Sequence, residues 1–458
     1  MGKPAARHIS LQDSVRVLCA SFAALPSPEH MEALIADSQA AETRGYYDPL
    51  EDERLRETYA SYLAMRVAIW EMIHALRPRF NAFKSGKMDD AARQAFGIAF
   101  CGAEIIVRTG EYLIGLARRR DIVWQKLDEA EPRYGLKRKS FTRLYRQLTS
   151  AWRMHSFYQA RDYFDAHRDD IFKALQSGKM EAAEEILRAL NLPSAARGDH
   201  LRRYRRFLNF SLRRRRLSTG RKTMFALFEM SGSDIAELKI PLVKQSGAPK
   251  RVTPDIISAL KPKLRPGDVF ITRHDDAMSN LFLPGFWPHG ALYIGRPEER
   301  RARGIEDVFD GFQHSGEGSV NILEAKKDGV LLRPLEETLQ VDAFTILRPK
   351  LSEAQITQAL SRGLSHAGKL YDFIFDFSAA DRMVCTEVIY RAFHGTGKIA
   401  FELSRKAGRS CLSAEDLLNQ AIANGWFEPV FIYGVNGCGL ENQPAAHDIL
   451  RSSFAAQF

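Results

Sequence analysis

The sequence has few cysteines and no two of them at a metal-binding or redox spacing. Five occur in 458 residues, Cys19, Cys101, Cys385, Cys411 and Cys438. They are scattered and odd in number and form no C-x-x-C pair, which argues against a zinc ribbon and against a disulfide framework. A reducing, cytoplasmic setting is the simpler expectation. Long apolar runs are missing as well, and none approaches the length of a membrane span. The weak apolar stretch Val15 to Leu25 is interrupted by Arg16 and Ser21, which makes a poor secretory signal. The opening MGKPAA places Ala6 where a myristoylation signal wants Ser or Thr. No repeat of fixed period is visible. Outside one short segment there is also no charge excess. The chain carries a net +10, and residues 197–222 alone hold ten Arg and one Lys against one acid, Asp199.

What is present divides the chain in two. An apolar content of 45% suits folded domains with proper cores, and 458 residues suit two or three of them. Residues 1–50 hold little pattern beyond a short helix around Met31 to Ala41. From Glu51, apolar residues recur at three- and four-residue steps (Leu55, Tyr59, Tyr62, Ile69, Ile73, Leu76) and stop at Arg77-Pro78. Helical spacing returns from Asp89 to about Ala130, from Ser140 to Leu175 and from Met180 to Leu190. Residues 1–235 therefore read as an all-α helical bundle, and the aromatic stripe of the third stretch reads as core. The basic segment 197–222 closes the bundle. Its Leu201, Tyr204, Leu208 and Leu212 share one helical face among the arginines. Such a helix either packs its apolar side on the bundle, lies on an anionic membrane surface, or docks on an acidic partner. No specific nucleic-acid motif accompanies it.

Residues 236–261 read as a connector, and beyond them the texture changes to short strands. GDVFITR (267–273), HGALYIG (289–295), SVNILEA (319–325), GVLLRPL (329–335), FTILRP (344–349), YDFIFDF (371–377) and FEPVFIYGV (427–435) are β-rich and bounded by turns. Leu351 to Ala367 and Ala414 to Ile422 are helical, and 441–458 reads as a loose tail. The expected fold class is α+β, with an antiparallel sheet or small barrel over residues 262–440.

Three residues of this half carry candidate chemistry. Cys385 stands at the start of an amphipathic helix, VCTEVIYRAF, with Val388, Ile389 and Ala392 on one face and Glu387 and Arg391 turned away. Unpaired N–H groups and the helix dipole favour a thiolate there. Taken alone, a single cysteine is as readily a small buried hydrophobe. His289 opens a strand, with Ala291 leaving room beside the ring. Glu324 ends the next strand between Leu323 and Ala325, and an imidazole on the neighbouring strand would partner it if it is buried. His314 and Glu317 compete from a Gly/Ser-rich loop.

The order G-D-V-F, P-H-G-A-L-Y-I-G, I-L-E-A, P-L-E-E, G-K-L-Y-D-F and V-C-T-E-V-I-Y resembles the circularly permuted NlpC-type papain-like hydrolases, in particular the YiiX-like amidase group related to the lecithin–retinol acyltransferase-like enzymes. The likeness spans about residues 262–436. It implies a permuted papain-like fold with a nucleophile helix, Cys385 as nucleophile, His289 as general base and Glu324 as the residue orienting the imidazole. It also places Tyr371 where a tyrosine lines the oxyanion site, although a core aromatic is an equal reading of that residue. The insertion PEERRARGIEDVFDGFQHSGEGS between the His and Glu strands departs from the pattern and bears on the third assignment.

The leading expectation is a cysteine hydrolase that cleaves an amide, peptide or peptidoglycan-like, through a thioester, with no cofactor and no metal. One alternative is a thiol acyltransferase or lipid hydrolase with an acyl-bearing substrate, suggested by the apolar run Leu281 to Trp287 and by Phe286 and Trp287 as groove walls. Another is an inactive papain-like domain in a helical binding protein. For the basic segment, a helix over 201–216 with its arginines outward predicts liposome binding that requires anionic lipid and weakens as salt rises, because exposed charges are screened over roughly 10 Å at 0.1 M salt. Salt-insensitive binding in a vesicle co-sedimentation assay would count against it.

Overall fold

The computed structural model describes residues 9–81, 88–190, 250–274, 286–305, 319–372, 375–406 and 409–454. The basic segment 197–222, the apolar run 281–285, His314 and Glu317 lie outside them. The described residues form two compact units, one up to Glu129 and from Lys137 onward through the helical half, the other taking 130–136 and everything from 250.

The first unit is helical: α1 (Leu11–Ala23), α2 (Pro28–Arg44), α3 (Pro49–Phe80), α4 (Asp90–Arg119), α5 (Asp121–Leu127), α6 (Ser140–Leu148), α7 (Ala151–Ala166), α8 (Arg168–Ser177) and α9 (Glu181–Ala189). Ser10, Ser27, Asp48 and Asp89 cap the first four, each accepting from a first-turn N–H. Helix α4 is the centre, with every residue from Phe96 to Gly102 buried. Small residues on several sides make this fit. A Cβ on Gly97 would lie 2.9 Å from Ile171 of α8, and one on Gly102 would lie 2.6 Å from Ile69 of α3.

Boundaries differ from the periodicity in instructive ways. Helix α1 was not expected, because its buried side chains are Ser14, Leu18 and Ser21, too polar to mark a stripe. Helix α3 runs past Pro78 to the buried Phe80. The stretch expected as a single helix from Asp89 breaks at Arg120, which is extended (φ −139°, ψ 116°), and that from Ser140 divides into three.

The second unit is built on a seven-stranded sheet of order β11-β10-β5-β1-β2-β3-β4, antiparallel throughout. Its strands are β1 (Val269–Arg273), β2 (His289–Tyr293), β3 (Val320–Lys326), β4 (Gly329–Pro334), β5 (Ala343–Pro349), β10 (Phe427–Tyr433) and β11 (Glu441–Asn442). Two-residue β6 (Leu370–Tyr371) and β7 (Arg382–Met383) pair in parallel, and β8 (Ser404–Lys406) pairs with β9 (Arg409–Cys411). Period two sends Ile271, Leu292 and Leu323 into a core under α11 (Glu353–Leu364), α12 (Cys385–Phe393), α13 (Ala414–Ala423) and α14 (Ala445–Phe454). It sends Phe270, Ala291 and Ile322 into a second core under α10 (Pro254–Leu260). The α+β class stands.

Four expectations are corrected here. The connector ends early, since Ile257 and Leu260 of α10 are core residues. Of the segment 441–458, read as a loose tail, the described residues 441–454 are ordered into the domain: β11 extends the sheet, and Ala446 and Leu450 of α14 are fully buried. Among the described residues of YDFIFDF only Tyr371 lies in a strand, and Phe375 has a positive φ of 53°. Glu387 and Arg391 do not face outward. Both are buried, joined at 2.7 Å, and Arg391 also donates to the Phe377 carbonyl at 3.3 Å, so α12 is enclosed on every side.

The G-D-V-F motif has a structural reason. Asp268 is fully buried at the head of β1, where it accepts from Arg348 Nε at 2.8 Å and Nη2 at 2.7 Å and from the Arg265 N–H at 2.9 Å. Replacing it with alanine strands a guanidinium behind the sheet. Asp268→Ala is expected to lose about 3–5 kcal/mol in chemical denaturation, and a loss below about 1 kcal/mol would show the pair to be dispensable.

Candidate active site

Cys385 is the first residue of α12, and Val384 before it offers no side-chain cap. The first N–H groups of the helix are therefore free to serve the sulfur, which accepts from the backbone N–H of Thr386 and from that of Gly290 in β2. Gly290 leaves room for this approach without displacing the end of the Ile389 side chain. A Cβ there would lie 2.7 Å from Ile389 Cδ1, inside contact distance. The sequence pointed to Ala291 as the small residue that matters, but Ala291 packs on the opposite face of the sheet.

His289 begins β2, opposite Thr272 of β1. Its Nε2 is 2.7 Å from Glu324 Oε1, and the ring is also hydrogen-bonded to the Cys385 sulfur, a bond that falls to the second ring nitrogen. Its side chain remains 22% exposed, enough for a substrate to reach it, whereas Glu324 is 1% exposed. Leu323 and Ala325 turn into one core and leave Glu324 on the other face, with the histidine.

Burial on its own would hold the thiol up. It is outweighed by the positive charge and hydrogen bond of His289 and by the two backbone N–H groups, so the Cys385 pKa is lowered. Burial would likewise depress the imidazole, but Cys385 and Glu324 outweigh it and raise His289 to about 10. Glu324, which burial would raise, is lowered to about 2 by His289 and Lys326. The three shifts run the same way, each favouring the charged form: thiolate for Cys385, imidazolium for His289 and carboxylate for Glu324.

Tyr371 is brought in by the β6–β7 ladder, which pairs it with Met383, two residues before the thiol. Burial, then the negative charges of Cys385 and Asp372, keep its hydroxyl protonated well beyond the ordinary phenol range. Phe286 is partly buried, with the Arg273 guanidinium 4.4 Å from its ring centre. Trp287 is not a groove wall. It is fully buried, and its indole N–H donates to Ser453 of α14 at 3.0 Å, which satisfies its one polar group inside the core. Sequence reasoning missed Gly290, and it missed Lys326, Arg333 and Thr338 around the far oxygen of Glu324. The P-L-E-E-T run was the available signal for the last of these.

A thiol at a helix start, facing a histidine whose far nitrogen meets a carboxylate, belongs to the papain-like class, here with the histidine strand ahead of the cysteine helix. Residues 263–426 match the family model described as permuted papain-like amidase enzyme, YaeF/YiiX, C92 family, and this part of the chain is a circularly permuted papain-like amidase domain. Its class of reaction is hydrolysis of amide bonds. Comparison with curated proteins and with solved structures gives no match. Among the described residues no helix is long and apolar enough to cross a membrane.

The ion pair has a direct readout. Iodoacetamide should alkylate Cys385 with an inflection well below the ordinary thiol value of about 8.5. In His289→Ala that inflection should rise, as burial is then opposed only by the backbone N–H groups of Gly290 and Thr386. Mass spectrometry of the alkylated peptide across pH checks both, and an unshifted wild-type inflection would contradict the assigned charge state.

Proposed function

We propose that the protein is a cysteine amidase in which Cys385 attacks the carbonyl of a peptide or peptidoglycan-like amide, His289 carries the proton and Glu324 holds the imidazole. The observation that carries this reading is the hydrogen-bonded run from the Cys385 sulfur through His289 to Glu324, inside a domain of the amidase family.

The steps follow from these groups. The thiolate forms an S–C bond to the carbonyl carbon, and the oxygen takes up the negative charge. The Cys385 backbone N–H, at an uncapped helix start, and the protonated Tyr371 hydroxyl are the donors offered to that oxyanion. As the C–N bond breaks, the nitrogen leaves with the proton of His289, giving an amine and a thioester. The neutral imidazole then takes a proton from water, the hydroxide adds to the thioester, and the thiolate departs to restore the pair. Glu324 keeps the ring oriented and stabilises its charged form throughout. Burial of Trp287 removes one wall of the apolar groove that an acyl-lipid substrate would need, which favours the amide over the ester.

The test is hydrolysis of peptide amides and of phospholipids by wild type, Cys385→Ala and His289→Ala. Amide cleavage should vanish in Cys385→Ala and fall at least about a thousandfold in His289→Ala. In wild type it should decline above about pH 10, where the imidazolium that protonates the leaving nitrogen is lost. Cys385-dependent release of fatty acid with no amide cleaved would overturn the reading in favour of a lipid enzyme.

A further inference from the structure

Both oxygens of Glu324 are engaged, and by different partners. Oε1 meets His289 at 2.7 Å. Oε2 accepts from Thr338 Oγ1 at 3.0 Å, sits 3.0 Å from Lys326 Nζ, and lies 3.5 Å from Arg333 Nε. Thr338 and Arg333 are both buried. Arg333 extends onward to Glu337 Oε1 at 2.9 Å and Asp328 Oδ1 at 2.5 Å. Apart from His289, all of these residues come from one stretch, the β3–β4 hairpin and the helical turn Leu335–Thr338 that follows it.

We propose that Thr338 and Lys326 are positioning residues for the His289–Glu324 pair, with Arg333 as the buried brace that holds this hairpin cluster together. The last torsion of a glutamate is soft, so a carboxylate held by one oxygen swings and exchanges its oxygens. Donors on Oε2 fix the plane of the group and leave the lone pair of Oε1 aimed at the imidazole, as outer partners do for histidines that must keep one orientation. The cluster also sets charge. Glu324, Asp328 and Glu337 face Lys326 and Arg333, three carboxylates against two cations, and the negative excess lies beside the ring that must be positive. From another element, Cys385 of α12 meets the ring, and the Tyr371 hydroxyl, kept neutral, lies by Cys385.

This proposal rests on Cys385 and His289 forming the reactive pair, and the test separates the two ideas. The rate of Cys385 alkylation by iodoacetamide in the full chain should show a plateau between two inflections, the upper one marking loss of the His289 proton. His289→Ala should lack the plateau, and if it keeps one, the reading of the pair fails rather than this proposal. Thr338→Val, equal in shape but without the hydroxyl, should move the upper inflection down by about one pH unit and lower kcat for amide hydrolysis about tenfold with KM unchanged. Thr338→Ser should restore both. Lys326→Met provides a second route, because Lys326 is one-third exposed and its loss leaves the buried core intact. Its upper inflection should also fall. An upper inflection at the wild-type position in both Thr338→Val and Lys326→Met, with folding unchanged, would overturn the proposal.

Discussion

Everything at this site depends on how closely a helix start can approach a strand. The sulfur of Cys385 is bonded at once to an N–H of its own helix and to an N–H of β2, so α12 rides close on the strand, and at Gly290 no side chain stands between them. Gly290 removes the obstacle, and the enclosed helix supplies the pressure. Val388, Ile389, Ala392 and Phe393 are all buried, and the Glu387–Arg391 pair turns even its charged side inward. The thiol is thus fixed by packing of the whole element, while its charge state is set by what that packing brings alongside. Burial by itself would have kept both partners neutral. The mutual attraction of sulfur and ring, reinforced by Glu324, works against burial and draws both toward their charged forms.

The two functional strands divide the labour. Strand β2 delivers the imidazole from its first residue, where the ring still has an open side. Strand β3 delivers the carboxylate from deep within the sheet, where water does not compete for it. A charge at such depth is tolerable only because partners meet it on both oxygens. The hairpin that provides them is short in sequence, so the acid and its supports arrive together as a local unit. The histidine and the cysteine, by contrast, are joined only by the tertiary fold.

Much of this could be read before any coordinates. Turn-bounded β patterns placed six of the seven strands of the sheet to within a residue or two, β11 being missed, because alternation of Phe270 and Ile271, or of Ala291 and Leu292, reflects two buried faces. Cys385 stood out by its place at a helix start, and His289 and Glu324 by their places on successive strands, but only the family resemblance set the three in one site. Legibility failed where burial is not apolar. The turned-in Glu387 and Arg391 carry an outward-facing signature, α1 buries two serines, and Arg333 reads as an ordinary strand residue. Gly290 was passed over because what it makes room for lies on another element, nearly a hundred residues on. The weak apolar texture after Asn442 hid a helix whose few buried side chains, Ala446 and Leu450, are enough to dock it.

That last helix has a bearing on how the domain comes into being. Trp287 stands two residues before His289, and its indole is bonded to Ser453 near the end of the described chain. Emerging from the ribosome in order, the histidine strand, the carboxylate hairpin and the nucleophile helix are all made before the piece that seals the tryptophan. Until it arrives, a large ring and an unanswered N–H lie open next to the catalytic strand. The core beside His289 is therefore complete only with residues 445–454 in place, and a nascent chain stalled short of residue 445 would hold Cys385, His289 and Glu324 without the partner of the Trp287 indole.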